Sequence, residues 1–92
     1  MTTNSLSFIF YVMPTIDHMP ISSAQKDKLN KLGERVREIR ISQGLSLQDL
    51  AYKVNKDRQS IQRLETGGVN PSYLYLDEIC KGLGVDIKAL FE

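Results

Sequence analysis

The sequence predicts a compact all-α domain of five short helices that follows an extended N-terminal arm. Three observations lead to this fold class. Apolar residues recur at intervals of three and four from residue 25 onward, glycines and capping residues separate these runs, and no strand pattern follows residue 24. The 92 residues are enough for one small domain. We therefore divide the chain into an arm, residues 1–24, and a helical domain, residues 25–92.

The arm contains one apolar run, residues 6–13 (LSFIFYVM), which ends before Pro14 and has the composition of a short extended strand. Three interpretations stay open: a strand that pairs two protomers, a flexible tail, or sequence upstream of a translation start at Met13 or Met19 instead of Met1. The run is shorter than the roughly 20 apolar residues that span a bilayer, and it lacks the positive charge of a secretory signal. We expect no export, no membrane anchor and a cytoplasmic location.

The first two helices are predicted over residues 25–43 and 47–54. Gly44 ends the first helix, Ser46 caps the second, and Asp49 completes a pattern that resembles a capping box. The inward positions of the first helix are Leu29, Leu32, Val36 and Ile39, and those of the second are Leu47, Leu50, Ala51 and Val54.

A short turn, residues 55–56, separates the second helix from the third. Asp57 caps helix 3, residues 58–66, which ends at Gly67. Pro71 opens helix 4, which closes at Gly84, and Asp86 caps a final turn. The predicted inward positions of helix 4 are Tyr73, Leu76, Ile79, Cys80 and Leu83, and the final turn carries Ile87, Leu90 and Phe91.

The charges are distributed unevenly, although the net charge is only +1. Residues 25–66 contain ten basic and six acidic residues, whereas residues 67–92 contain two basic and four acidic ones. A basic middle segment favours one electropositive face, but an interleaved pattern such as Glu34, Arg35, Arg37 and Glu38 is also typical of any solvated helix. Charge alone therefore leaves nucleic-acid binding open.

The sequence offers no basis for catalysis or metal binding. Cys80 is the one cysteine and His18 the one histidine, so we expect no zinc site and no other cofactor. Cys80 lies in an apolar helical pattern and is interpreted as a small buried core residue. Asp77 and Glu78 are interpreted as a solvated face of helix 4. No nucleophile lies at a usable spacing from a base, and we expect the protein not to be an enzyme.

Helix 3 carries polar residues on one face and apolar residues on the other. At about 100° per residue, Arg58, Gln59, Gln62, Arg63 and Thr66 lie within about 140° of each other, opposite Ile61 and Leu64. Arginine can form two hydrogen bonds with guanine and glutamine two with adenine in the major groove. Such residues are also common on solvent-exposed helix faces. The preceding helix and tight turn favour the DNA-binding interpretation, because this spacing is that of a helix-turn-helix.

Four blocks of the sequence carry a family resemblance: residues 44–51 (GLSLQDLA), 57–67 (DRQSIQRLETG), 70–72 (NPS) and 82–85 (GLGV). In this order and spacing they resemble the XRE-type helix-turn-helix regulators, the group of phage repressors and Cro. The resemblance covers about residues 32–92. It implies a five-helix, lambda-repressor-like domain that inserts helix 3 into the major groove, commonly as a homodimer on a palindromic operator of double-stranded DNA.

The resemblance also implies roles for individual residues. Arg58, Gln59 and Arg63 match base-reading positions, and Gln62 lies beside them. Ser60 and Asn70 match positions that approach phosphates, and we assign phosphate contact or positioning to Ser46, Lys56 and Thr66 as well. Arg40 and Glu65 match a pair that joins helix 1 to the end of helix 3, with the arginine near the DNA backbone. One departure is Leu47, which replaces a common glutamine that contacts phosphate.

Two functions follow as hypotheses. The first is a sequence-specific transcription regulator that binds promoter DNA as a homodimer, without a sensor domain. The second is a protein-interaction module, such as an antitoxin or antirepressor. It is suggested by the apolar residues 8–12 and by Leu74 and Tyr75, which are predicted to point outward from helix 4.

Overall fold

The computed structural model describes residues 21–92, and the predicted arm, except for its last residues, lies outside them. The described chain is all-helical: α1 (Ser23–Ser42), α2 (Leu47–Lys53), α3 (Arg58–Glu65), α4 (Tyr73–Leu83) and a final 3-10 helix (Ile87–Phe91). The all-α prediction is confirmed. No helix within these residues has both the length and the apolarity needed to cross a membrane.

Helix α1 begins two residues earlier than predicted. Ser22 is its N-cap: the Ser22 hydroxyl accepts a hydrogen bond from the Gln25 backbone N–H, and the Gln25 side chain accepts one from the Ser22 N–H. This reciprocal pair is a capping box, which satisfies two backbone donors at the helix start. The first residues of α1 therefore come from the segment assigned to the arm.

Helix α4 also begins at a different residue from the predicted one. Its N-cap is Ser72, whose hydroxyl accepts from the Tyr75 N–H, so Pro71 precedes the helix instead of opening it. The final turn is capped by Asp86 as predicted, and it is a 3-10 helix. In the turn between α2 and α3, Asn55 adopts a left-handed conformation (φ 55°), which asparagine tolerates better than most residues.

The core lies where the helices meet. Helix α1 packs on α3 and on the 3-10 helix, while α2 packs on α3 and α4. Cys80 is buried as predicted, and desolvation raises the pKa of its thiol. The buried apolar residues are Val36, Ile39, Leu50, Ala51, Ile61, Leu64, Leu76, Ile79, Cys80, Leu83 and Leu90.

The prediction that Tyr73 points into the core is wrong, because the residue is 66% exposed. Helix α4 approaches α2 near its C-terminal end, where Gly82 lies against Val54. Tyr73 is the first residue of α4 and therefore lies at the end of the helix that is far from this contact. Leu74 is exposed as predicted, whereas Tyr75, predicted to point outward with it, is half-buried.

Candidate nucleic-acid interface

Helix α3 has a solvent face made entirely of polar side chains. Arg58, Gln59, Gln62 and Arg63 are all exposed. On the opposite face, Ile61 and Leu64 are buried in the core, at 0% and 1% exposure. Burial of these two apolar residues fixes the rotation of α3 about its axis, and the four predicted base-reading side chains consequently lie together on the outer surface.

The C-terminal end of α3 is attached to α1 by a buried ion pair. Arg40 Nε donates to Glu65 Oε2 at 2.6 Å, and Arg40 Nη2 donates to Glu65 Oε1 at 2.9 Å. The third contact of the guanidinium, from Nη1, is to the Leu45 carbonyl at 2.7 Å. Hydrogen bonding to Glu65 raises the pKa of Arg40 further, so the guanidinium stays charged. Bidentate geometry fixes orientation as well as distance.

Two further contacts from α1 hold the same end of α3. Lys26 Nζ donates to the Gly67 carbonyl at 2.6 Å, just beyond the helix. Gly33 lies directly against the carbonyls of Leu64 and Glu65, where even a methyl group would overlap with them. Sequence reasoning missed both residues. A glycine inside a strongly helical run was the available signal, since glycine weakens a helix unless a close approach requires it.

Ser46 and Thr66, both predicted phosphate contacts, form hydrogen bonds within their own helix turns. The Ser46 hydroxyl accepts from the Asp49 N–H at 3.0 Å and, in return, the Ser46 N–H donates to Asp49 Oδ2 at 2.9 Å. Thr66 Oγ1 donates to the Gln62 carbonyl at 3.0 Å. Both side chains are exposed, as is Asn70 in the loop between α3 and α4.

Ser60 and Lys56 lie together beside α4. The hydroxyls of Ser60 and Tyr75 share a hydrogen bond at 2.7 Å. Lys56 Nζ lies 4.5 Å from the centre of the Tyr75 ring and 3.1 Å from Glu78 Oε1. These contacts join the α2–α3 turn and the first turn of α3 to α4. Neither Tyr75 nor Glu78 was assigned to the site from the sequence.

The exposed face of α3 keeps its positive charge. Among the described residues 21–92, neither Arg58 nor Arg63 takes part in an ion pair. The N-cap residue Asp57 forms no side-chain hydrogen bond with the first turn of α3. Backbone N–H groups at this turn therefore remain available as donors, as at other helix N-termini that bind anions. The face combines guanidinium groups, amide groups and backbone donors.

Comparison with known proteins identifies the family. Residues 36–90 match the helix-turn-helix family. The chain belongs to the XRE-type branch of this family of DNA-binding transcription regulators. The resemblance found in the sequence is thereby confirmed, and α2 and α3 form the helix-turn-helix.

Several solved structures of regulators are similar to this chain. The restriction-modification controller C.AhdI from Aeromonas hydrophila has 32% identity and a TM-score of 0.69, over 71% of this chain and 98% of that one. The controller C.Esp1396I has 36% identity and a TM-score of 0.63, over 68% and 81%. The clp gene regulator ClgR from Corynebacterium glutamicum has 26% identity and a TM-score of 0.65, over 67% and 80%. A search of curated protein sequences gave no match.

Proposed function

We propose that this helix-turn-helix protein is a homodimeric regulator that binds a palindromic operator with α3 in the major groove. The observation that carries the proposal is the division of α3 into two faces. Its apolar residues are buried, and Arg58, Gln59, Gln62 and Arg63 are exposed together. In this proposal the arginines bind guanine O6 and N7 and the glutamines bind adenine N6 and N7.

The residues around α3 set its position on the duplex. Ser46, Lys56, Ser60, Thr66 and Asn70 are the proposed phosphate contacts or positioning residues. Arg40 is buried against Glu65, and its proposed role is to orient α3 near the DNA backbone. Phosphate contacts fix register without reading sequence, whereas the four side chains on α3 supply the sequence discrimination.

Homodimer formation is the second part of the proposal. The solved complex of the relative C.Esp1396I contains a tetramer bound to its natural 35-base-pair operator. In this chain, Tyr73 and Leu74 on α4 are 66% and 70% exposed and supply apolar surface for a dimer contact. The half-sites of a dimer of this class lie about 34 to 36 Å apart.

The dimer is tested by light scattering on Leu74→Lys. We expect this variant to shift the protein to the monomer mass, because a lysine is costly to bury in an apolar contact. Tyr52→Lys is the matched control, since Tyr52 is 85% exposed on α2. A wild-type protein that is monomeric at all concentrations, on and off DNA, contradicts homodimer formation.

DNA reading is tested by fluorescence anisotropy with a duplex selected from a random library by the wild-type protein. Arg58→Ala and Arg63→Ala should each weaken binding by about tenfold or more, because a bidentate base contact contributes about 1 to 3 kcal/mol of discrimination. Arg37→Ala removes an equal charge from an exposed position on α1 and serves as the control. Equal losses in all three variants would contradict base reading by α3.

The same experiment addresses the alternative of a protein-interaction module, for which the exposed Tyr73 and Leu74 are the relevant observation. A regulator prefers the selected duplex strongly over a shuffled one and loses affinity as salt rises, because phosphate contacts release counterions. Binding that is absent, or equally weak on both duplexes, would favour the interaction module. In that case, Arg58→Ala and Arg63→Ala should leave partner binding unchanged.

A further inference from the structure

Tyr75 contacts two predicted phosphate-binding residues at once. Its hydroxyl lies 2.7 Å from Ser60 Oγ, in the first turn of α3, and its ring centre lies 4.5 Å from Lys56 Nζ, in the turn before α3. The Tyr75 N–H donates to Ser72, the N-cap of α4. Tyr75 is thus anchored in the first turn of α4 and meets Ser60 and Lys56 through different parts of one side chain.

The hydroxyl contact leaves Ser60 able to bind a phosphate. A serine hydroxyl has one hydrogen to donate and can also accept. When the Tyr75 hydroxyl donates to Ser60 Oγ, the hydrogen of Ser60 is available for a phosphate oxygen, and the serine is already held in one orientation. Fixing a side chain before binding lowers the entropy lost on association.

The ring contact acts on Lys56 in the same way. The Lys56 side chain is only 18% exposed, and its ammonium lies 4.5 Å from the centre of the Tyr75 ring and 3.1 Å from Glu78 Oε1. An ammonium is attracted to the face of an aromatic ring, and this contact occupies none of its three N–H donors. A phosphate can therefore replace Glu78, which is 59% exposed, while Lys56 stays against the ring.

From these contacts we propose that Tyr75 is a positioning residue of the DNA interface, which holds Ser60 through its hydroxyl and Lys56 through its ring for contact with the phosphate backbone. The inference rests on the proposed function. It adds α4 to the DNA-binding unit, since a side chain outside the helix-turn-helix sets the geometry of two contacts within it.

Tyr75→Phe tests the hydroxyl because it keeps the ring. We expect affinity for the selected duplex and for a shuffled duplex to fall by similar factors, about three- to tenfold, since one hydrogen bond to a phosphate contact is lost and phosphate contacts do not read sequence. Tyr52→Phe is the matched control: it removes the same atom from an exposed tyrosine on α2 that has no proposed role in binding. Thermal unfolding of each variant checks that the fold is retained.

A double-mutant cycle asks whether Tyr75 acts through Ser60. Ser60→Ala should weaken DNA binding in the wild-type background and have little further effect in Tyr75→Phe, because the two changes remove the same contact. If the losses of DNA affinity are additive, or if Tyr75→Phe binds DNA as tightly as the wild type, the claim that Tyr75 acts through Ser60 is wrong. A merely structural role for Tyr75 would lower the unfolding temperature without this coupling in DNA affinity.

Salt dependence isolates the ring contact. Lys56→Gln should reduce the slope of log affinity against log salt by about one, as expected for one lost phosphate contact. Tyr75→Leu should reduce the slope partly, whereas Tyr75→Phe should retain the wild-type slope. A wild-type salt slope in Tyr75→Leu overturns the proposed role of the ring. This result would leave the proposed function standing, because Arg58→Ala tests base reading separately. A wild-type protein that binds neither duplex overturns the proposed function and this inference together.

Discussion

The two ends of α3 are held by ion pairs of opposite character. At the C-terminal end, Arg40 and Glu65 form a bidentate pair whose side chains are 9% and 5% exposed. At the N-terminal end, Lys56 and Glu78 make a single contact at 3.1 Å, and the glutamate is mostly exposed. One end of the proposed recognition helix is therefore fixed in the protein interior, and the other is held by side chains that solvent can reach.

This difference separates stability from binding. A buried charge that loses its partner is strongly destabilising, whereas an exposed pair contributes about 0 to 1 kcal/mol and exchanges readily with other ions. We infer that the buried pair sets the angle of α3 relative to α1. In the proposed DNA interface, the more exposed Lys56–Glu78 pair keeps the lysine in place until a phosphate replaces Glu78.

The largest expected effect is on stability at the buried end. Glu65→Ala leaves the Arg40 guanidinium buried without its carboxylate, and we expect the free energy of unfolding to fall by about 3 to 5 kcal/mol in urea titrations. Glu78→Ala is the matched control and should cost about 1 kcal/mol or less. Similar losses of unfolding free energy in the two variants would contradict the proposed difference between the two ends of α3.

The close approach of α1 to the same end gives the second prediction. Gly33→Ala places a methyl group against the carbonyls of Leu64 and Glu65, and we expect a loss of roughly 1 to 3 kcal/mol in unfolding free energy. Gly68→Ala is the control, because a methyl group there meets the Arg63 carbonyl at 3.4 Å, an ordinary contact. Gly33→Ala with wild-type stability would mean that α1 and α3 can separate without cost.

The contact of Gly33 with α3 was not predicted from the sequence, whereas the helices were. Periodicity predicted the helices, and most of the core, because burial of an apolar face repeats along the chain. The family resemblance indicated Arg40 and Glu65, which the structure joins, whereas the contacts of Tyr75 were not foreseen. Tyr75 meets Ser60 and Lys56 from 15 and 19 positions further along the chain, so only the packing of α4 against the helix-turn-helix brings them together.

The exposed end yields a prediction for binding. Glu78→Gln removes a negative charge beside Lys56 and should strengthen binding to both the selected and the shuffled duplex by about two- to threefold at low salt, the size expected for one charge about 8 Å from a phosphate in water. Its effect on unfolding should be small. Asp77→Asn is the control, since Asp77 pairs with Lys81 at 3.1 Å instead of with Lys56.

Anisotropy at low and high salt checks this prediction. The gain should shrink at high salt, where exposed charges are screened. An equal gain in Asp77→Asn would assign the effect to the net charge of α4 and not to the Lys56–Glu78 pair. Weaker binding in Glu78→Gln would mean that Glu78 positions Lys56 for DNA instead of occupying the place of a phosphate.

The smallest expected effect concerns an exposed carboxylate, that of Asp49 in the capping box of α2. The Ser46 backbone N–H, followed by the Ser46 hydroxyl, lowers the pKa of Asp49. A carboxylate with a lowered pKa in the folded state stabilises the protein above its ordinary pKa, about 3.9, and this contribution is lost as the pH falls through the lowered value.

Asp49→Asn keeps a side-chain oxygen that accepts a hydrogen bond from the Ser46 N–H, but the asparagine amide does not titrate. Thermal unfolding followed by circular dichroism should show a slightly smaller acid-induced loss of stability in Asp49→Asn than in the wild type. Identical acid profiles would mean that this carboxylate contributes no pH dependence, and that the acid sensitivity of the domain arises at its other acidic side chains.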